Sequence, residues 1–139
     1  MKERTFILLK PDAVRRGLVG RIITRIEDKG MKIGALKLLQ LSQTQAEKLY
    51  EMHKDKPFYI ALIRHITSGP VAAMVAEGDE AVRAARSIAG ATDPLDADVG
   101  TIRGDFGLTI TENVIHAADS RENVLRETKI FFNPEEIIS

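Results

Sequence analysis

Thr5-Phe6-Ile7-Leu8-Leu9, running straight into Lys10-Pro11-Asp12, is the stretch on which the rest of the chain is read. It is a short apolar run rich in strand formers, and the proline stops regular pairing and marks a turn, so a buried first strand is expected there. Downstream, Val19, Ile22, Ile23 and Ile26 recur at helical spacing with Arg21, Arg25 and Asp28 facing away, and Gly30 supplies the stop of an amphipathic helix. Ile33 to Leu41 reads as a second strand. Ser42 with Gln45 three residues on reads as a capping box for the next helix, which Asp55-Lys56-Pro57-Phe58 interrupts before a short resumption ahead of Ser68-Gly69-Pro70. A third strand is expected over Val71 to Val75, a helix over Asp79 to Ile88, and a fourth strand over Phe106 to Ile110. Asp119 and Ser120 are cap residues for a last helix running toward Phe132, with a short Pro134-containing tail.

That order contains the split βαβ pattern, so the expected fold is an α+β, ferredoxin-like antiparallel sheet covered by helices. The 139 residues suit a single domain, 1–139. Ala89 to Gly104 is the one long irregular segment; loops beyond about 12 to 15 residues in compact domains are usually functional or disordered, and this one carries Thr92, Pro94 and Arg103.

Basic and acidic residues number 20 each, so no global field recruits nucleic acid or an anionic membrane, and any anion site is local. Cysteine is absent, which excludes disulfides and thiolate zinc sites. The start Met1-Lys2-Glu3-Arg4-Thr5 lacks the apolar stretch of a signal peptide, and no run approaches a membrane span, so a cytoplasmic location without membrane contact is expected. There is no phosphate loop, no Gly-x-Gly-x-x-Gly after a strand and no His-Glu-x-x-His helix. Histidine remains as the candidate nucleophile or base. His53 and His65 lie on helical segments beside charges and read as solvated or partly packed rings without a role. His116 stands apart: Asn113-Val114-Ile115-His116 leads into Ala117-Ala118-Asp119-Ser120, whose small side chains leave the ring accessible at the expected start of a helix, where an anion is favoured.

Lys10-Pro11-Asp12, Arg86, Gly90-x-Thr92-x-Pro94, Gly100-Thr101-Ile102-Arg103-Gly104-Asp105-Phe106 and Asn113-x-x-His116-x-x-Asp119-Ser120 together resemble the nucleoside diphosphate kinase family in identity, order and spacing, from Thr5 to about Ile137. The resemblance implies transfer of the γ-phosphate of a nucleoside triphosphate to a nucleoside diphosphate, by a ping-pong route through a phosphohistidine at His116. It implies Mg2+ carried chiefly by the nucleotide rather than by a protein metal site, broad base specificity, and a homo-oligomer, tetramer or hexamer, that needs no nucleic acid.

Residue by residue, it makes His116 the nucleophile and Glu127 the carboxylate that orients it. Lys10, Tyr50 and Asn113 fall near the sugar and transferred phosphate, Arg86, Thr92 and Arg103 on the phosphates, and Phe58 and Ile110 about the base. Taken singly, Phe58 reads equally as core, Arg86 as a solvated helix charge, Arg103 as a loop ion-pair partner and Glu127 as a surface partner of Arg126 or Lys129. The chain departs from the family's pattern at Ala117 and Ala118, where Gly then Ser is usual, and at Asp93, where Asn is usual. The rival classes are a non-catalytic regulatory module on a ferredoxin-like sheet and a nucleic-acid binder using the same basic cleft.

Overall fold

The computed structural model describes residues 2–138; Met1 and Ser139, the two ends of the expected domain, lie outside the described residues. In chain order the elements are β1 (Lys2–Leu9), α1 (Pro11–Arg15), α2 (Val19–Asp28), β2 (Lys32–Gln40), α3 (Gln43–Leu49), a 3-10 turn (Glu51–His53), α4 (Tyr59–Ile66), β3 (Pro70–Asp79), α5 (Ala81–Ala89), α6 (Ile102–Phe106), β4 (Ile115–Ala117), α7 (Arg121–Phe131) and a 3-10 turn (Pro134–Glu136). The strands form one sheet in the order β2-β3-β1-β4, every neighbouring pair antiparallel. The units β1-α2-β2 and β3-α5-β4 are each split by a strand of the other, which is the ferredoxin-like arrangement in a single domain.

Helices cover both faces, and this explains the unbroken apolar run of β1. Ile7 and Leu9 join Ile22, Ile26, Met74, Ala81 and Ala85 in the core under α2 and α5, while Phe6 and Leu8 join Leu49, Ile63, Ile66, Val124 and Phe131 under α3, α4 and α7. Phe6 to Leu9 are all fully buried, and each contributes roughly 1.5–3 kcal/mol by leaving water. The Ser42–Gln45 capping box is present in both directions, Gln45 N–H to Ser42 Oγ at 3.1 Å and Ser42 N–H to Gln45 Oε1 at 3.0 Å.

Three expectations are corrected. The fourth strand is not Phe106 to Ile110: Thr101 Oγ1 accepts the Gly104 N–H at 3.0 Å and caps α6, which uses up Phe106, while Leu108 and Ile110 stand exposed. The apolar alternation at 106, 108 and 110 therefore imitates a strand without a face to bury. Instead the strand is β4, so His116 does not open a helix; it pairs opposite Leu8, and Ala118, Asp119 and Ser120 intervene before α7. Finally, α5 starts at Ala81 rather than Asp79, because Asp79 still pairs with Lys2 and Glu80 turns the chain with φ 48°.

Candidate active site

The two central strands deliver the site. β1 ends at Leu9, so Lys10 emerges beside β4, whose middle residue is His116. Helix α7, capped by Ser120 Oγ accepting the Asn123 N–H at 3.2 Å, brings Glu127 under the imidazole. Its last turn makes α5 the source of Arg86, and α6 supplies Arg103. Tyr50 closes α3 and Phe58 precedes α4.

These residues converge on one cavity of about 380 Å³, whose lining includes Lys10, Tyr50, Phe58, Arg86, Thr92, Arg103, Ile110, Asn113, His116 and Glu127, every candidate that the sequence offered. His116 Nε2 lies 2.8 Å from Glu127 Oε1, with the histidine side chain 20% exposed and the glutamate 2%. An ionised carboxylate only accepts, so Nε2 donates, and the Nδ1 lone pair is left free. Glu127 is therefore no surface residue. Its second oxygen accepts from Arg126 Nη2 at 3.2 Å, and Arg126 is itself fixed by Nη1 donating to Lys48 O at 2.6 Å and Nε donating to Asn123 Oδ1 at 3.2 Å. The Tyr50 ring stands edge-on to His116, centroids 6.2 Å apart, and burial followed by the Glu127 charge pushes its phenol pKa up.

A polar chain crosses the cavity. Lys10 Nζ donates to Asn113 Oδ1 at 2.9 Å and to Thr111 O at 3.2 Å, and Asn113 Nδ2 donates to Thr92 O at 2.9 Å. Burial lowers the Lys10 pKa to about 8, Asp12 opposing and Arg103 assisting. Arg103 is no loop ion-pair partner: Nη1 donates to Gly90 O and Nη2 to Ile115 O, both at 2.8 Å, and its Nε is buried without a hydrogen-bond partner. Burial first, then the nearby Arg86, lowers its pKa to about 10. Crowded cations, with an unmatched buried N–H among them, suit a bound polyanion. Phe58 and Ile110, 45% and 57% exposed, give the cavity an apolar mouth rather than filling the core.

Sequence reasoning gave His53 no role and passed over Met52, Leu62 and Asn123, all of which line the cavity; the His53 ring lies 5.3 Å from that of Phe58. It also read Arg126 only as a surface partner, although a carboxylate drawn into a helix's buried face needs a counter-charge and the flanking arginine was the nearest one. At the departures from the family pattern the backbone is ordinary. Ala117 pairs with Ile7 and is not among the residues of positive φ, Ala118 is buried with its N–H on Phe6 O at 3.1 Å, and Asp93 Oδ1 closes its own loop by accepting the Leu95 N–H at 3.0 Å. Among the described residues no group of three or more His, Asp or Glu side chains is placed to hold a metal ion, and the cavity's carboxylates are already engaged, Glu127 as above and Asp119 by Asn123 Nδ2 at 2.6 Å.

The nucleoside diphosphate kinase family model matches residues 3–137. The chain belongs to the nucleoside diphosphate kinase family. It is 62% identical over 136 residues to the nucleoside diphosphate kinase of Thermosipho africanus, covering 98% of this chain and 92% of that one, and 57% identical to that of Thermus thermophilus, covering 98% and 99%. Among solved structures, the halophilic nucleoside diphosphate kinase of Halobacterium salinarum in complex with CDP superposes with a TM-score of 0.96 at 45% identity, covering 100% of this chain and 93% of that one. As a member of the family the chain is a nucleotide-binding phosphotransferase, which sets aside the non-catalytic module. No helix among the described residues is long and apolar enough to cross a membrane.

Proposed function

We propose that the chain catalyses ATP + NDP ⇌ ADP + NTP by a ping-pong route through a phosphohistidine on His116, with broad base specificity. The observation that carries this reading is the 2.8 Å contact of His116 Nε2 with Glu127 Oε1 inside a cation-lined cavity. In the first half-reaction the Nδ1 lone pair attacks the γ-phosphorus; the N–P bond forms as the bond to the β,γ-bridging oxygen breaks, and that electron pair leaves on the nucleoside diphosphate. Glu127 steadies the cationic ring. In the second half a terminal phosphate oxygen of the incoming diphosphate attacks, and the N–P pair returns to the imidazole. Arg86, Arg103 and Thr92 are proposed to meet the phosphate oxygens, Lys10 and Asn113 the sugar hydroxyls, and Tyr50 to pack beside the nucleophile.

Mg2+ would be held chiefly by the nucleotide's own phosphates rather than by residues of this chain, and would supply neutralisation of phosphate charge there. Phe58 and Ile110 take the base by stacking and apolar contact, which tolerates any base. That the Halobacterium salinarum relative was solved with CDP supports a nucleotide in this fold. A cavity of about 380 Å³ suits one nucleotide better than a polymer, against a nucleic-acid role.

A homo-oligomer, tetramer or hexamer, belongs to the same proposal: β2 is an edge strand with Leu36 and Leu38 50% and 65% exposed. So does a cytoplasmic location, on the sequence grounds.

The test mixes the protein with ATP, Mg2+ and a panel of diphosphates. GTP should form from GDP, other bases should serve within a few-fold, and a 2′,3′-dideoxy acceptor should lose well over tenfold, roughly more than the 1–3 kcal/mol of one unpaired polar group. No triphosphate product from any acceptor contradicts the proposal.

A further inference from the structure

Asp12 and His65 do not line the cavity, yet they are bonded to each other at 4% and 9% side-chain exposure, His65 Nε2 standing 2.9 Å from Asp12 Oδ1. The other carboxylate oxygen accepts the Val114 N–H at 3.1 Å. Val114 is a buried, β-branched residue at φ +65°, a left-handed conformation that costs such a residue on the order of 1–3 kcal/mol. Ile115 N–H donates back to Asn113 O at 2.8 Å, closing a three-residue γ-turn centred on Val114. Lys10 N–H, donating to Val114 O at 2.9 Å, pins the turn's other side. Asn113, bonded to Lys10 and Thr92, enters this turn, and His116 follows it directly.

Burial opposes ionisation of Asp12, but the His65 hydrogen bond and charge, with Lys10, outweigh it and hold the carboxyl below its usual range. The ionised carboxylate accepts from both neighbours, and His65 fixes the rotamer in which it can reach Val114.

We propose that His65, acting through Asp12, is a positioning residue for phosphoryl transfer: the pair holds the strained Val114 turn that sets where Asn113 and His116 meet the nucleotide. The inference rests on the phosphohistidine reading above. Removing the imidazole leaves Asp12 with an unmatched buried oxygen, free to turn away from Val114, and the turn relaxes toward an ordinary φ. Displacements of about 1 Å at reacting atoms can cost up to about 100-fold in rate. Binding suffers less, because Arg86, Thr92, Arg103 and Phe58 stand on other segments.

The experiment measures single-turnover labelling of His116 by γ-labelled ATP over a concentration series, in the full chain, for wild type, His65→Phe and His65→Gln. The maximal rate should fall about five- to fifty-fold in His65→Phe while the half-saturating ATP concentration stays within about twofold; His65→Gln, whose amide Nε2 can donate as the imidazole Nε2 does, should recover to within about threefold of wild type. If His65→Phe does not fold, the smaller His65→Leu takes its place. A fast His65→Phe, a slow one that glutamine does not restore, or a loss confined to ATP affinity each overturns the inference while leaving the phosphohistidine standing. An unlabelled wild type overturns both.

Discussion

At Lys10 an ammonium is held in a buried place by hydrogen bonds to Asn113 and Thr111, with the Asp12 charge nearby, and burial brings its pKa down to about 8. The charged form, proposed to donate to the sugar of an anionic nucleotide, prevails below that value and is lost as pH rises through it. Because kcat/KM reports the free enzyme, it should fall between about pH 7.5 and 9, whereas kcat should stay flatter, since a bound polyanion restores the proton. A pH profile of both constants checks this, and Lys10→Met should abolish the limb near pH 8 along with most of the affinity. Motif spacing in the sequence singled out ten residues, and folding brings all ten to one cavity. What escaped was burial and long-range pairing: Arg126 with Glu127 reads in the sequence only as a surface pair although the carboxylate is buried, and His65 with Asp12 joins residues 53 apart in the chain.

Among the elements, the segment between α5 and β4 is held by small residues at close approaches. Gly90 has φ +87°, and a Cβ there would meet Thr101 Oγ1 at 2.5 Å, while its carbonyl receives Arg103. Thr101 in turn caps α6. Gly90→Ala should therefore cost about 1–3 kcal/mol of stability from φ strain and displacement together, and raise KM for nucleotide several-fold by moving Thr92 and Arg103. Thermal unfolding beside steady-state kinetics reads both; unchanged KM in a destabilised protein would make the glycine structural only. The same segment is where sequence reading failed on structure. Helix α2 is long enough for its period to show, β1 and β3 stand out as apolar runs and α7 by its cap, whereas α6 has five residues and β4 three, too few for a period to show. Their placement comes from a cap and from pairing with β1, neither of which is written in local hydrophobicity.

For the whole molecule, the sheet leaves β2 at one edge, where the tail contributes Ile138 N–H to Gly34 O at 2.8 Å and Lys37 pairs with Glu136 at 3.3 Å, yet Leu36 and Leu38 remain exposed. If copies associate there, Leu38→Asp should shift the species seen by sedimentation toward the monomer with its secondary structure intact; an unchanged mass would move the interface elsewhere. Every proposed catalytic group comes from one chain and lines one cavity. The most direct test of the phosphohistidine is accordingly made without any acceptor. Protein incubated with γ-labelled ATP and Mg2+ should retain label on His116 in an acid-labile, alkali-stable bond, and should pass it to GDP on addition, while His116→Ala stays unlabelled. Label on another residue, or an active preparation that never retains any, would contradict the account.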